Sequence, residues 1–255
     1  MNRLNGKLAI VTGIGSGIGK GCALRFLAEG AQVLGCDLNA QAAQASVEEA
    51  RSAGHVLHSL HPCDLTNPAD VDALVAAALR ELGGIDILVN AAAWGAFEFI
   101  EQMDYQRQWK ATLAGEIDVV FLACKAVWPH MKARGGGAIV NFASANAYEA
   151  LAGSGALAHC AGKGAVLAMT RQLAMEGGPH GIRANTISPA LVVTGATQPR
   201  LDHEPGFRET VLSKMMIQRL GTPDDIAWCA TYLASDEAGW VTAADFKLDG
   251  GATAW

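Results

Sequence analysis

The most constraining feature of the sequence is a regular alternation of short apolar runs with longer helical patterns. Seven strand-like runs lie at residues 8–11, 33–36, 55–60, 85–89, 138–142, 183–187 and 245–248. This alternation is typical of βαβ units wound around a parallel sheet. No linker, repeat or low-complexity tract divides the 255 residues, and α/β folds commonly reach this length as one domain. The sequence therefore predicts one α/β domain, residues 1–255, with a doubly wound parallel sheet of about seven strands and helices on both faces.

Helix signals occupy the intervals between these runs. Asn67-Pro68 places an N-cap before a proline at the first helical position, which predicts a helix to about Leu82. Residues 109–134 indicate one long helix or two broken ones. Residues 191–219 carry no strong pattern, and a compact domain tolerates so long an irregular stretch mainly where it is functional. We interpret this stretch as a mobile lid over a substrate.

Charge and composition exclude several classes of protein. The net charge is −6 and the lysines and arginines are scattered, so no basic stripe indicates a nucleic acid or an anionic membrane surface as partner. No apolar run approaches the ~18 residues of a membrane span. The N-terminus reaches a strand without a signal-peptide stretch, which favours a cytoplasmic protein. The six cysteines form no Cys-x-x-Cys pair, so we expect reduced thiols and no metal site.

A glycine-rich loop between the first strand and the first helix indicates a dinucleotide. Its sequence is Thr12-Gly13-Ile14-Gly15-Ser16-Gly17-Ile18-Gly19. Glycines let the backbone approach a pyrophosphate, and the helix N-terminus supplies N–H donors. Asp37 ends the second strand, where a carboxylate accepts hydrogen bonds from the adenosine ribose and repels a 2′-phosphate. Neither Ser16 nor Leu38 supplies a balancing cation, so the sequence predicts NAD rather than NADP. The alternative for Asp37 is a solvated loop carboxylate.

Motifs along nearly the whole chain resemble those of the short-chain dehydrogenase/reductase family. They are Thr12-Gly13-x-x-x-Gly17-x-Gly19, Cys63-Asp64-Leu65, Asp86-Ile87-Leu88-Val89-Asn90-Ala91, Asn141-Phe142-Ala143-Ser144, Lys163, Arg183-Ala184-Asn185-Thr186-Ile187-Ser188-Pro189, Thr194 and Asp249-Gly250-Gly251. Together these motifs are highly specific. The resemblance implies a Rossmann-type sheet, an oxidoreductase that acts on a small molecule, and a homodimer or homotetramer.

The resemblance also implies which residues hold the cofactor. By this likeness Asp64 and Leu65 hold adenine, Asn90 lies at the ribose region and Lys163 binds the nicotinamide ribose. Pro189, Val192 and Thr194 are expected to meet the nicotinamide amide and the pyrophosphate. The expected cofactor-binding set is therefore Gly13, Ser16, Gly17, Ile18, Gly19, Asp37, Asp64, Leu65, Asn90, Lys163, Pro189, Val192 and Thr194.

The catalytic positions depart from the family pattern. Members of the family use a serine, a Tyr-x-x-x-Lys pair and an asparagine on the preceding helix. Ser144 and Lys163 match this pattern, but His159 stands four residues before Lys163, where the family has tyrosine. Counting back from Phe121 along the long helix, the family's asparagine position falls on Glu116. The four residues Ser144, His159, Lys163 and Glu116 are therefore the candidate catalytic group.

Histidine can perform the proton transfer expected of tyrosine. A free imidazole titrates at about 6.5, so it is poised near neutral pH without help from a neighbour. Lys163 should favour neutral His159, which suits alcohol oxidation, whereas a nearby Glu116 carboxylate would favour the imidazolium and could orient the ring. The alternatives are a His159 that transfers no proton or merely packs. A salt bridge between Glu116 and Lys163 is as well supported by the sequence as a relay role, and the Tyr148 phenol is a weaker alternative donor.

The sequence gives thinner indications of the substrate. An apolar or aromatic pocket, or simple core and lid packing, is indicated by Trp94, Phe97, Tyr148, His203, Phe207, Met215 and Met216. The leading hypothesis is an NAD-dependent oxidoreductase that transfers hydride between nicotinamide and a secondary alcohol or ketone. The alternatives are a lyase, dehydratase or isomerase built on Glu116 and His159, and a catalytically silent NAD-binding protein.

Overall fold

A computed structural model of the chain describes residues 2–151 and 153–255. Its strands are β1 (Leu8–Thr12), β2 (Gln32–Cys36), β3 (Leu57–Leu60), β4 (Ile87–Asn90), β5 (Gly137–Phe142), β6 (Ile182–Pro189) and β7 (Asp245–Leu248). They form one sheet in the order β3-β2-β1-β4-β5-β6-β7, and every neighbouring pair is parallel. The predicted doubly wound parallel sheet of seven strands is confirmed.

Helices cover both faces of the sheet, which explains why its central strands are apolar throughout. The helices are α1 (Gly17–Ala28), α2 (Ala40–Ser52), α3 (Pro68–Leu82), α4 (Ala111–Leu113), α5 (Val119–Ala133), α6 (Leu157–Gly177), α7 (Gln198–His203), α8 (Phe207–Ser213) and α9 (Pro223–Ala234). One apolar cluster joins the sheet to α1, α2 and α9, and a second joins it to α3, α5 and α6. Strands buried on both faces need continuous apolar runs rather than alternating ones.

The winding reverses between β1 and β4. The chain builds outward from β1 to β3 and then crosses back to place β4 on the other side of β1. The connections on the two sides diverge at this point, which leaves a crevice above the carboxyl ends of the strands. The glycine-rich loop follows β1 and therefore opens into that crevice.

Two predicted strand starts differ from the structure by two residues. The third strand begins at Leu57 rather than at residue 55, because the end of α2 is still closing there: Gly54 has φ +83° and the His55 N–H donates to the Ala50 carbonyl at 2.9 Å. The fourth strand begins at Ile87 rather than at residue 85. Asn67 does cap α3, since its side chain accepts from the Ala69 N–H at 3.1 Å.

The long helix predicted at 109–134 starts earlier and contains two wide turns. Asp104 caps it by accepting the N–H groups of Gln106 and Arg107. The helix then passes through two π-helical segments, Tyr105–Lys110 and Ala114–Asp118, on either side of α4 and continues as α5. Single π-helical turns occur often at functional sites because they redirect side chains.

The stretch predicted as a lid, 191–219, contains the two short helices α7 and α8. It is anchored at its start, where buried Val192 forms a parallel bridge with Gly221, and near its end, where Met215 is buried. Its role as a lid stays a prediction. In the part of the chain that the structure describes, none of the helices has the length and apolar character needed to cross a membrane.

Candidate active site

A cleft of about 700 Å³ lies above the carboxyl ends of β1, β2 and β4. Nine of the residues predicted to bind the cofactor line it: Gly13, Ser16, Gly17, Ile18, Gly19, Asp37, Asp64, Leu65 and Thr194. The lining continues past Ala93 to Trp94, Gly115 and Val119, toward the candidate catalytic group. Asn90, Lys163, Pro189 and Val192 are not among the lining residues.

At two glycines of the glycine-rich loop the backbone packs too closely to leave space for a side chain. A Cβ atom at Gly13, which has φ +73°, would lie 2.9 Å from the Ala92 backbone, and one at Gly19 would lie 2.2 Å from the Gly13 carbonyl oxygen. Ser16 is the N-cap of α1 but makes no side-chain capping bond, and no acidic residue stands in the first turn. The first N–H groups of α1 are therefore available to an anion at a helix N-terminus.

The Asp37 carboxylate is fixed at the far end of this cleft. Its Oδ2 accepts the Gly15 N–H at 2.8 Å, and its Oδ1 accepts the Asn39 N–H at 2.8 Å. A Cβ at Gly15 would come within 2.8 Å of Oδ2, so the glycine lets the loop close on the carboxylate. Each carboxylate oxygen can still accept another hydrogen bond. No lysine or arginine is among the described residues that line the cleft.

Asp64 and Asn90 differ in how they face the cleft. Asp64 lines it, with Oδ1 accepting the N–H and the hydroxyl of Thr66 at 2.9 and 2.7 Å. Asn90 is buried, and its amide donates to Asn141 Oδ1 at 2.8 Å and to Cys124 Sγ at 3.4 Å. The Asn90 amide NH₂ is therefore engaged in the interior, where it ties β4 to β5.

The two residues that depart from the family pattern form one hydrogen-bonded pair. His159 stands near the start of α6 and Glu116 stands in the π-helical segment Ala114–Asp118. His159 Nδ1 and Glu116 Oε1 lie 2.6 Å apart. The side chain of Glu116 is 2% exposed and that of His159 is 15% exposed. A bridge between Glu98 and Ala156 brings the Phe97 ring to 5.1 Å from the imidazole, centre to centre.

Lys163 is buried one helical turn beyond His159. Its Nζ donates to the Phe142 carbonyl at 3.1 Å, at the end of β5. Burial lowers the pKa of Lys163, and the charge of Glu116 acts in the opposite direction. The structure pairs Glu116 with His159 and not with Lys163. The Glu116–Lys163 salt bridge that the sequence left open is therefore not formed. The reason is that the Lys163 amine is drawn to the strand end while Glu116 Oε1 faces the imidazole.

Ser144 and Tyr148 stand at the two ends of a short 3₁₀ turn, Ala145–Ala147, that packs against α6. The Ser144 hydroxyl caps this turn by accepting the Asn146 N–H at 3.1 Å. The Tyr148 hydroxyl donates to Asp245 Oδ2 at 2.8 Å on β7. Partial burial and this bond raise the pKa of Tyr148 to about 12. Tyr148 is therefore held toward the sheet edge, which does not favour it as an alternative proton donor.

The Glu116–His159 contact determines what the imidazole can do. An ionised Glu116 would accept a hydrogen bond from Nδ1–H and leave Nε2 to exchange a proton. A carboxylate in this position also stabilises the imidazolium after a proton arrives. The arrangement can accept a proton at Nε2 and return it, beside a buried lysine.

The residues named as substrate indicators are scattered. Trp94 lines the cleft and Phe97 packs on His159. His203 and Phe207 belong to α7 and α8, and Arg200 lies 4.2 Å from the Phe207 ring centre. Among these described residues, Trp94 and Phe97 are the two that contact the cleft or His159.

Sequence reasoning missed two glycines beside Glu116. A Cβ at Gly162 would lie 2.2 Å from Glu116 Oε2, and one at Gly95 would lie 3.1 Å from Oε1. Gly162 stands inside a helix, where glycine is a poor helix former. That mismatch was the available signal.

Comparisons with known proteins find named dehydrogenases that are similar to nearly the whole chain. A family described as Enoyl-(Acyl carrier protein) reductase matches residues 13–253. D-threitol dehydrogenase of Mycolicibacterium smegmatis is 40% identical over 252 residues, which cover 98% of this chain and 94% of that protein. 2-(R)-hydroxypropyl-CoM dehydrogenase of Xanthobacter autotrophicus is 36% identical over 253 residues, covering 97% and 99%. A solved 7α-hydroxysteroid dehydrogenase, complexed with NADH and 7-oxo glycochenodeoxycholic acid, is 33% identical with a TM-score of 0.92, covering 98% and 95% of the two chains.

Proposed function

Because the chain belongs to the short-chain dehydrogenase/reductase family, we propose that it is an NAD-dependent oxidoreductase of a secondary alcohol, with His159 as its proton-transfer group. The observation that carries this proposal is the buried contact of 2.6 Å between His159 Nδ1 and Glu116 Oε1. In this site His159 stands in place of the tyrosine of the family, and an imidazole is also a group that can transfer a proton.

The cleft supports NAD as the cofactor. Its loop glycines and the open N-terminus of α1 would hold the pyrophosphate, and Asp37 would accept the adenosine ribose hydroxyls. The Asp37 carboxylate and the absence of a lysine or arginine from the described lining both disfavour a 2′-phosphate. A relative of known structure holds NADH. When bound, NAD supplies a hydride acceptor for the oxidation and NADH a donor for the reverse reaction.

The remaining predicted residues complete the cofactor site in this proposal. Asp64 and Leu65 would meet the adenine, Lys163 the nicotinamide ribose, and Thr194 the pyrophosphate. Pro189 and Val192 would support the nicotinamide end from behind the cleft lining, and Asn90 would act from the interior by holding β4 against β5.

His159 takes the proton in the direction of alcohol oxidation. Its Nε2 accepts the hydroxyl proton as the hydride leaves the adjacent carbon, and Glu116 stabilises the resulting imidazolium through Nδ1. The Ser144 hydroxyl positions the substrate oxygen. In ketone reduction the imidazolium returns the proton to the same oxygen.

Glu116 explains how histidine works beside a buried lysine. The positive charge of Lys163 disfavours a second positive charge on the nearby imidazole. The negative charge of Glu116 acts on both residues: its carboxylate contacts His159 directly and interacts with Lys163 at longer range. The carboxylate thereby offsets the lysine and lets the imidazole hold a proton during turnover.

Residues around the site and on the surface fit the proposed enzyme. Trp94 and Phe97 give the substrate an apolar wall, and residues 191–219 cover it as a lid. Exposed apolar side chains such as Phe121 and Met175 suit a homodimer or homotetramer. The six cysteines are free thiols, which supports a cytoplasmic location.

Steady-state kinetics test this proposal. NADH absorbance is followed with a panel of secondary alcohols and polyols, using NAD and NADP in parallel. The proposal predicts turnover with NAD, and a kcat/KM for NADP lower by about tenfold or more. NAD binding without turnover of any alcohol or ketone would favour the silent protein, and proton-transfer chemistry without NADH change would favour a lyase, dehydratase or isomerase.

A further inference from the structure

The Glu116 side chain occupies a pocket formed by Gly95, His159 and Gly162, called here the Glu116 pocket. Oε1 faces His159 Nδ1, while Oε2 is buried and has no hydrogen-bond partner among the residues that the structure describes. A Cβ at Gly162 would lie 2.2 Å from Oε2 and 3.1 Å from the Glu116 Cβ. The carboxylate therefore fills the space that a side chain at position 162 would need.

We infer that Gly162 is a positioning residue whose missing side chain admits the Glu116 carboxylate and thereby holds His159 for proton transfer. The inference rests on the proposed function and extends it from the acid–base pair to the residue that makes the pair possible. Gly162 touches no substrate, so its effect is exerted through Glu116.

The helix itself does not require glycine at this position. Glycine in a helix interior is destabilising relative to alanine. Gly162 lies in the middle of α6 and is not among the glycines with positive φ. Gly164, two residues later on α6, would place a Cβ in open space. Gly162 is therefore set apart from Gly164 by its contact with Glu116 rather than by its backbone.

The unpartnered oxygen gives a second reason to assign the pocket a function. A buried polar atom without a hydrogen bond is destabilising, and more so when its group is charged. Oε2 of Glu116 carries this cost in a side chain that is only 2% exposed. Packing alone would favour an apolar residue there. The contact between Glu116 Oε1 and His159 Nδ1 explains why a carboxylate stands at this buried position.

The distances set the size of the expected effect. A real Cβ contact at 2.2 Å does not occur, and ordinary contact begins near 3.4 Å, so an alanine at 162 displaces the carboxylate by about 1 Å. A displacement of that size stretches the 2.6 Å contact with His159 beyond the range of a hydrogen bond. The imidazole then loses both its fixed orientation and the charge that offsets Lys163.

The test compares Gly162→Ala with Gly164→Ala, a control on the same helix. For each variant kcat, the Kd for NAD and the thermal midpoint are measured. We expect Gly164→Ala to keep kcat within about twofold. We expect Gly162→Ala to lose about tenfold or more of kcat while its Kd for NAD stays near that of the parent.

A second comparison keeps the inference falsifiable if Gly162→Ala folds poorly. Glu116→Ala removes Oε2, which the new Cβ would meet at 2.2 Å, and leaves only the Cβ of residue 116, at 3.1 Å. Gly162→Ala should therefore lower the thermal midpoint less in the Glu116→Ala background than in the parent. Equal losses in both backgrounds, or a Gly162→Ala enzyme with parental kcat, would overturn the inference. If the parent shows no NAD-linked turnover, the proposed function fails while the thermal comparison still decides the coupling.

Discussion

Replacing Glu116 with glutamine keeps the shape of the side chain and removes its charge. The 2.6 Å contact with His159 Nδ1 then changes from a charge-assisted hydrogen bond to a neutral one. Bonds to charged groups contribute about 1.5–3 kcal/mol, against about 0.5–1.5 kcal/mol for neutral bonds. The loss of about 1–1.5 kcal/mol corresponds to roughly tenfold in rate. An amide can also present its N–H to Nδ1 and select the wrong imidazole tautomer, so we expect kcat to fall by about 10- to 100-fold.

The comparison of kcat with cofactor binding distinguishes this role from a structural one. Loss of a proton-transfer role lowers kcat and leaves the Kd for NAD near the parental value, whereas a disrupted structure weakens both. The assay measures NADH formation and NAD binding, with Glu101→Gln as the control because Glu101 is exposed. A Glu116→Gln enzyme whose kcat stays within about twofold of the parent would rule out a role of the carboxylate in catalysis.

Three further predictions concern the cofactor cleft and its surroundings. Asp37→Ser removes the carboxylate that repels a 2′-phosphate, so the kcat/KM ratio of NAD to NADP should fall by about tenfold, and an unchanged ratio would exclude the assigned role. Tyr148→Phe breaks the 2.8 Å bond to Asp245 and should cost about 0.5–1.5 kcal/mol in denaturant unfolding with kcat kept within about twofold, whereas a collapse of kcat would restore the phenol as a candidate. Cys63 lines the cleft, whereas Cys22 is fully buried, and burial raises the pKa of the Cys22 thiol to about 12. Iodoacetamide should therefore modify Cys63 before Cys22, and NAD should slow the reaction because Cys63 lines the cleft, as mass spectrometry of labelled peptides can show.

The fold was accessible from the sequence because each buried strand is a short apolar run bounded by turn residues. The first residues of the strands were harder to predict, because they depend on where the hydrogen bonds of the preceding helix end. Residues before Leu57 look strand-like, yet Gly54 and His55 complete the last turn of α2. The π-helical segments around α4 were missed because an apolar period of 3.6 residues does not reveal a single wide turn.

The candidate site was predictable where spacing alone decides proximity. His159 and Lys163 are four residues apart on one helix, so they share a face. Which of them Glu116 would contact depends on side-chain packing across two helices, and the sequence left both possibilities open. Gly162 was overlooked because a helical glycine has meaning only when the atom that fills its missing Cβ is known.

The kcat of His159→Gln, measured together with its Kd for NAD, tests the proton-transfer role of His159. General acid–base catalysis contributes about 10²- to 10⁴-fold, so we expect a loss of kcat in that range. Cofactor binding should be unchanged, because the proposal gives His159 a proton to transfer and no contact with the cofactor. A His159→Gln enzyme that binds NAD normally and keeps about a tenth or more of the parental kcat would contradict the central claim.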